Sequence, residues 1–593
     1  MKLAFCILFF FISVNIIRLN DIVVELKTGG VFTSEELSIY PNGNDMSAQI
    51  NAVAKLSFVE AIRFVSDSAH AFIINAAVDF KNTRVIFENG SRLAGTGTIN
   101  NLNYEASDYN KIFDTTLNFS NLRSAKGYFS VNSFTGPVDT TVDIGDYIKK
   151  GIEVVTKNHL PLKIPKGKYY VGVSVYFQTG LKLLGDGIDQ TVLFIKPGAQ
   201  FMNVDTAVHN VELNGMTFEM KGKGRGSNFI QFSTTTDNDF STNIWLNSLK
   251  LKMHRKGNFS IFFGKVKNGG GRNISIDSSF NGALRTTTSK DIKWDSIVVT
   301  NAGRSGIGIG KDVNGYVLTN FVVDGFAQNL PFTDGGIDSY GPNNSNFYVS
   351  NGVVKTGRTT YLNAIQHILI RDQGNHNGTY ENIVLHAQGK LLYGIRNSNR
   401  DADYTYGVQF KNITLNIDSG ATYDKLIITQ NALDADFEVN VIIDSNAVAR
   451  TANAYVLNIQ RPSVLDTMNA FKFAGTIVLN GSNARLMNWL TPTRKIDLSG
   501  TKIYGLNNIA YRTSLAVQVN LFKWHDGYIR TSINVPLFFR LNSVSVFDIQ
   551  GVFVEKPDDK LWDSTSSYSG LIVPGYNSIN GKLVHSVGDT IGR

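Results

Sequence analysis

The stretches NVELNGMTF (210–218), NIWLNSLKL (243–251), DIKWDSIVV (291–299), NFYVSNGVV (346–354) and VQFKNITL (408–415) share one local pattern. Apolar residues alternate, a small polar pair interrupts, and the alternation resumes. Period-two alternation is the mark of a strand with one buried face. Outward from these copies, the same anchor recurs at Leu213, Leu246, Trp294, Leu318, Val349, Tyr380, Phe410, Val439, Phe473, Leu498, Trp524 and Ile549. Most steps are roughly 24 to 34 residues, the period of a stacked solenoid rather than of a globular sheet. The step from Leu246 to Trp294 is longer, and the weak copy NISID (273–277) supplies the missing turn. A second column runs between the first, through Ile307, Ile337, Ile365, Ile395, Ile427, Val456 and Leu486. Two in-phase columns of short strands per repeat predict an all-β chain in which each repeat is one coil of a parallel β-helix.

A chain of 593 residues with 42% apolar residues can bury a large core, and a solenoid lets that core lengthen without thickening. The 54 glycines and 12 prolines suit a fold full of turns whose strands proline does not break. The net charge is +8, compatible with an acidic glycan, a nucleic acid or an anionic envelope, and equally with an ordinary basic surface. Cys6 is the single cysteine and lies in the first apolar stretch. A chain processed after residue 20 would carry no disulfide and no thiolate-held metal. Residues 1–20 place Lys2 before LAFCILFFFISVNII, the form of a secretory signal too short for a comfortable membrane span. Its removal would take two from the net charge, since it holds Lys2, Arg18 and no acid. The expectation is a secreted or periplasmic protein with no membrane span after the signal.

Residues 21–135 read as an atypical lead-in, with a helical candidate over Ser57–Ser66 that places Phe58, Ala61, Ile62 and Val65 on one face. Asp143–Asn158 is a better helix, with Asp143 as N-cap and Ile144, Tyr147, Ile148, Ile152 and Val155 at helical spacing. LPLKIPKGKYYVG (160–172) and LKLLGDGIDQTVLFIKPG (181–198) follow as strands and tight turns. A capping helix, then IPKGKYYV, then LLGDGIDQTVLFI, then coils, resembles the start of the pectate-lyase-like superfamily. PNGNDMSAQINAV (41–53) looks like a degraded copy of the same motif. The resemblance implies a right-handed parallel β-helix over 136–560, with 561–593 as a C-terminal cap or tail. It also implies kinship with polysaccharide lyases, glycoside hydrolases, epimerases and tailspikes, and a monomer or homotrimer. It leaves the chemistry open.

In such a stack, residues one repeat apart are side-chain neighbours at about 4.8 Å. The later coils of the second column are plain, whereas its middle coils read SGIGIGKD (305–312), DGGIDSYG (334–341), AIQHILIRDQGNH (364–376) and LYGIRNSNRDAD (392–403). Aligned on their isoleucines, Asp338, Gln366 and Arg396 share one position, and Ser339, His367 and Asn397 the next. Asp334, Lys311, Asp312, Tyr340, Arg371, Asp372, His376, Arg400, Asp401 and Asp403 then fall in the flanking turns. Each has a structural alternative. Asp334 before two glycines is a common Asx turn, Asp338 with Arg396 a surface ion pair, and His367 between isoleucines a core histidine. Tyr340, next to a glycine and a proline, can simply pack over a turn, and Asn397, Asn458 and Asn488 read as a structural ladder. A register slip of one residue would exchange inward and outward positions.

The expected activity is cleavage of glycosidic bonds in a polysaccharide, with an acidic polymer preferred and a non-catalytic glycan-binding or adhesive fibre as the alternative. For β-elimination on a uronate, the carboxylate must be neutralised, a base must take the C5 proton and an acid must reach the leaving oxygen. Arg396 or Arg371 would neutralise, His367 would be the base and Tyr340 the acid, with Arg400 and Lys311 as further substrate contacts. Asp334 and Asp338 have a D-x-x-x-D spacing that resembles the calcium-binding acids of pectate lyases, so a lyase would bring Ca2+. The R-x-P-x-x-R motif of those enzymes is absent. For hydrolysis the two flanking carboxylates would come from Asp334, Asp338 and Asp372. The adjacent aspartates, G-H-G and R-I-K of polygalacturonases are missing. No nucleophile elbow, zinc spacing or phosphate loop is present, the glycines of GRSGIGIG (303–310) precede no helix, and nucleic acid has only net charge in its favour.

Overall fold

The small polar pair that interrupts each strand is where the chain turns a corner. In the five pairs Asp295–Ser296, Thr319–Asn320, Ser350–Asn351, Glu381–Asn382 and Lys411–Asn412, the second residue has φ between +48° and +55°. Asparagine and other short polar residues tolerate this left-handed region best. The corners then lock onto one another down the stack. Asn412 donates to Asn382 at 2.8 Å, Asn382 to Asn351 at 3.2 Å, and Thr319 and Asn320 both donate to Asp295 at 2.7 Å.

The computed structural model describes the chain except 1–14, 20–21, 27–29, 67–69, 82, 204–205, 221–227, 236–238, 257, 329–333, 358–366, 400–403, 453, 461–466, 508–510, 514–516, 533–537, 540–543, 558–570, 574–575, 581 and 585–593. Two compact units are distinguished: Met1–Asn203 with Val208–Lys221 and Asn247–Leu249, and Val204–Ala207 with Gly222–Leu246 and Lys250–Arg593.

In the first unit the strands Val31–Thr33, Ala61–Phe64, Arg84–Phe87, Asn103–Glu105 and Arg123–Ser124 stack in parallel, and a second parallel row is formed by Val78–Asp79, Thr98–Asn100 and Asn118–Ser120. The helix expected over Ser57–Ser66 is not there. Ala61–Phe64 is a strand paired with Val31–Thr33 and Arg84–Phe87, because Ile62 and Phe64 bury their side chains at strand spacing. The helix lies earlier, at Ser47–Val53. The helix expected over Asp143–Asn158 spans Gly145–Asn158 and buries Ile144, Ile148, Ile152 and Val155 as expected, while Tyr147 is only half-buried. Its cap position is Ile144 rather than Asp143. Asp143 still binds the first turn, accepting from the Gly145 and Gly172 N–H groups at 2.9 Å. Asp45 does the same for the earlier helix, accepting from Ser47 at 3.0 Å and Asn75 at 3.2 Å. The two motifs therefore share one local device. Of the expected signal, residues 1–14 lie outside the described residues, and Asn15–Leu19 pairs antiparallel with Ile22–Leu26.

The second unit is a run of stacked parallel strands. Val266–Asp277 pairs with Lys290–Thr300, which pairs with Asn314–Asp324, then Tyr348–Lys355, Thr379–Ala387 and Gln409–Ile417. NISID thus belongs to a full coil. Trp294, Leu318, Val349, Tyr380 and Phe410 are in register, and Trp294, Phe410 and Phe473 are at most 1% exposed. At Gln409–Ile417 a bulge shifts the pairing, so Phe437, not Val439, follows Phe410. The rings of Tyr380, Phe410 and Phe437 stack at 4.9 and 4.8 Å, each contact adding about 0.5–1.5 kcal/mol beyond burial.

The second column needs correction in three places. Ile307 and Ile337 align with Ile370, not Ile365, and the column continues Ile395, Ile427, Leu457, Met487. AIQHILI offers three isoleucines, and the true anchor is the last. Val456 and Leu486 are one residue out of register.

Candidate functional site

The corrected register decides the site. Outward positions on successive strands of the second column read Phe262, Arg285, Gly308, Asp338, Arg371 and Arg396. They come from the strands Ile261–Gly264, Leu284–Thr287, Ile307–Ile309, Gly335–Ser345, His367–His376 and Leu391–Ser398. Arg371 takes the place expected for Gln366, which lies outside the described residues with Arg400, Asp401 and Asp403.

Arg371 grips Asp338 with two N–H groups, Nε to Oδ1 at 2.5 Å and Nη2 to Oδ2 at 2.7 Å. Nη2 also reaches Asp334 Oδ1 at 3.1 Å. Arg304 closes on Asp334 from the other side, with Nε bonded to Oδ2 and Nη2 at 3.3 Å from Oδ1. The Arg371 guanidinium carbon sits 4.2 Å from the centroid of the Tyr340 ring. Asp338 is 1% exposed. Burial alone would push its carboxyl up. The charge and hydrogen bonds of Arg371, the charge of Arg285 and the Ser305 hydroxyl outweigh this and hold it below the usual carboxylate range. Burial works against the charge of Arg371 in turn, and Asp338 and Asp334 reverse that, raising its pKa. Gly308 stands between Arg285 and Asp338 in the row, and a Cβ there would lie 2.8 Å from Arg285 Cδ. The missing side chain is what lets Arg285 lie across its neighbour toward Asp338.

These groups line an open cavity of about 530 Å³, whose wall is Phe259, Phe262, Gly282, Arg285, Thr287, Arg304, Ser305, Asp334, Asp338, Tyr340 and Arg371. Asp334, Asp338, Tyr340 and Arg371 are among the residues expected from the sequence. Arg285, Arg304, Phe259 and Phe262 are not, although extending the column upstream through IFFG (261–264) and LRTT (284–287) finds two of them. Arg396 is the next residue of the row, half-buried, with Nε 3.3 Å from Ser398 Oγ. Burial lowers its pKa, Tyr393 counteracts and neighbouring Arg371 adds to the lowering. Lys311 does not line the cavity; its side chain is 65% exposed, 4.0 Å from Asp312.

Two more expected site residues are elsewhere. His367 is fully buried, packed edge-on against Phe326 with ring centroids 5.3 Å apart. Burial lowers its pKa to about 4, and neither ring nitrogen has a hydrogen-bond partner among the described residues. It begins its strand rather than facing the groove, so the expected grouping of Asp338, His367 and Arg396 becomes Asp338, Arg371 and Arg396. Asp372 faces the interior, not a turn. It pairs with Ser339 and Asn397, accepts from Asn397 at 2.9 Å, Tyr380 at 3.1 Å and Asn375, and burial raises its pKa to about 7 against those donors. Of the expected asparagine ladder, Asn488 donates to Asn458 at 2.9 Å, while Asn397 belongs to the adjacent row.

Calcium does not fit this donor set. Both oxygens of Asp338 and of Asp334 are taken by guanidinium N–H groups, and three arginines line the same space. A hard dication needs oxygen ligands free of such neighbours. Among the described residues no group of three or more His, Cys, Asp or Glu is placed to hold a metal, and no helix is long and apolar enough to cross a membrane.

The stacked parallel strands are those of a parallel β-helix. No protein-family model matches the chain, and no curated protein is significantly similar to it in sequence. Among solved structures the chain is similar to the A-module of mannuronan C-5 epimerase AlgE4 from Azotobacter vinelandii, at 13% identity over 75% of this chain and 99% of that one, TM-score 0.34. It is similar to a mutant tailspike protein of E. coli bacteriophage HK620 in complex with a pentasaccharide, at 11% over 72% and 80%, TM-score 0.38. It is also similar to the catalytic domain of a GH87 alpha-1,3-glucanase in complex with tetrasaccharides, at 11% over 72% and 68%, TM-score 0.37. The assignment of this chain to the architecture rests on its own strand pairing.

Proposed function

We propose that the protein binds an acidic polysaccharide across the Asp338–Arg371 cavity and cleaves it by β-elimination. The observation that carries this reading is the cluster of three guanidinium groups, Arg285, Arg304 and Arg371, in one open cavity walled by Phe259, Phe262 and Tyr340. Cations in a partly desolvated cleft stabilise the negative charge that develops on a uronate when its C5 proton leaves. Aromatic faces accept the apolar side of a sugar ring.

The roles follow from placement. Arg285 and Arg304 face the substrate carboxylate. Asp338 and Asp334 fix the Arg371 guanidinium, which lies over the Tyr340 ring. Tyr340 is the group that moves the proton: its side-chain oxygen takes the C5 proton and delivers it to O4 on the same face. The C5–H and C4–O4 bonds break, a C4=C5 double bond forms, and the leaving hydroxyl carries the proton away. Hydrolysis is less favoured because both carboxylates are committed to arginines, whereas one must serve as a protonated acid.

The test is incubation with a panel of acidic and neutral polysaccharides, following ultraviolet absorbance of unsaturated ends and total reducing ends. New absorbance with an acidic polymer supports elimination. Reducing ends without absorbance mean hydrolysis, and neither signal with measurable binding makes the protein a glycan binder. We further propose that it is exported, which N-terminal sequencing of the mature protein would check.

A further inference from the structure

A second cavity, of about 590 Å³, opens elsewhere on the second unit. Its wall includes Tyr504, Arg530 and Glu555, which follow one another in register on Lys502–Leu506, Tyr528–Thr531 and Phe553–Glu555. The adjoining row reads Lys502, Tyr528 and Phe553. The Tyr504 and Tyr528 rings lie 5.1 Å apart, and Phe553 is 58% exposed. Arg530 and Glu555, 3.8 Å apart, are 70% and 57% exposed.

We propose that this strip is a second, non-cleaving binding site for the same class of acidic polysaccharide. The proposal rests on the reading of the first cavity for the identity of the polymer. A phenylalanine left in water beside Tyr528 is unfavourable, because its ring keeps apolar surface exposed that a ligand would cover. A polar rim of Lys502, Arg530 and Glu555 around aromatic faces suits a ligand that is apolar on its ring faces and hydroxylated or carboxylated at its edges. The net positive rim favours a carboxylated sugar. Among the described residues the strip offers one carboxylate, Glu555, already facing Arg530, so these residues lack the pair that hydrolysis needs and the guanidinium cluster of the first cavity. Asn488 lies on the second column in the same turn of the stack as Tyr504, two strands ahead of it. Five coils separate it from Asp338, or about 24 Å along the stack at ordinary strand spacing. A polymer can occupy both places, and a short oligosaccharide cannot. Holding the polymer at the second strip raises its effective concentration at the first.

The experiment compares the native chain with the double variant Tyr528→Ala and Phe553→Ala, and separately with Arg530→Glu, which leaves both rings in place. Retention in gels containing acidic polysaccharide, and turnover of polymer against short oligomers, are measured on samples with unchanged melting temperature. The proposal expects at least a five-fold loss of retention in both variants. It also expects a matching rise of KM on polymer and unchanged turnover of oligomers. Native retention in either variant overturns it. Equal losses on polymer and oligomer also overturn it, because the strip would then act on the first cavity. If no polymer is cleaved but retention still depends on Tyr528, Phe553 and Arg530, the cleavage reading fails and this one stands.

Discussion

Replacing Asp372 with asparagine should change how stability depends on pH in a way that can be worked out beforehand. Asp372 is fully buried, and its pKa is raised to about 7 from 3.8. Between those values the native state holds a proton that the unfolded chain has released. Its contribution is therefore fully present below about pH 4 and lost as pH rises toward 7, by about 4 kcal/mol at about 1.4 kcal/mol per unit. His367 has the opposite sign. Its native pKa is about 4 against 6.5, so its contribution is present above pH 6.5 and lost as pH falls toward 4, by about 3 kcal/mol. From pH 4 to 6.5 the two nearly cancel. An amide at this position would not titrate, and its N–H group could donate to Asn375 Oδ1, which has no partner among the described residues. The Asp372→Asn variant should become more stable from pH 4 to 6.5 while the native chain stays nearly level. At pH 8 it should exceed the native chain by roughly 1–3 kcal/mol, after allowing about 1 kcal/mol for each rearranged hydrogen bond. The assay is thermal and guanidinium melting of both proteins at half-unit pH steps. Parallel curves between pH 4 and 7 would refute the reasoning and return Asp372 to an exposed or ion-paired position.

Truncation of Phe410 to Ala should cost about 3–5 kcal/mol, read by denaturant midpoint, and a loss under about 1 kcal/mol would contradict its stacked, buried position. Arg371→Ala should destabilise by about 3–5 kcal/mol, since it leaves Asp338 buried without its partner; melting with and without a compensating Asp338→Asn checks this, the double variant recovering much of the loss. Tyr340→Phe should lower turnover by about 10²–10⁴-fold with little change in melting temperature, measured by release of unsaturated ends. Gly308→Ala should push Arg285 aside and raise KM for acidic polymer several-fold while leaving retention at the Tyr528 strip unchanged.

The solenoid was legible because its determinants are local and repeated. An alternating run such as DIKWDSIVV states its buried face by itself, and Trp294, Leu318, Val349, Tyr380 and Phe410 needed only counting. Register failed where the period gave no unique choice. Ile365, Ile368 and Ile370 compete within one coil, and taking the first moved His367 into a groove it does not face and left Arg371 and Asp372 in turns. The bulge after Phe410 is likewise invisible to periodicity, because one added residue leaves the apolar count intact. Half the cavity was legible as polar residues concentrated in the middle coils. Arg285 was not, because its four-residue strand carries one outward charge among threonines, and Arg304 comes from a turn. The role of Gly308 is a space relation between three coils, which no single segment carries.

The one-coil register also sets how the chain can assemble and fail. Trp294 meets Leu318 and Tyr380 meets Phe410, so partners are always about one repeat apart, however long the chain grows. Closing each loop costs nearly the same entropy, because that cost rises only as the logarithm of loop length. Coils can then be added one after another, each templated by the edge before it, without a late search for distant partners. A weakened coil would act as a stopping point in that growth, leaving finished coils on one side and an unpaired, sticky edge on the other. The damage from a core substitution would accordingly be felt first in yield and aggregation during synthesis, and only afterwards in the behaviour of molecules that complete the stack.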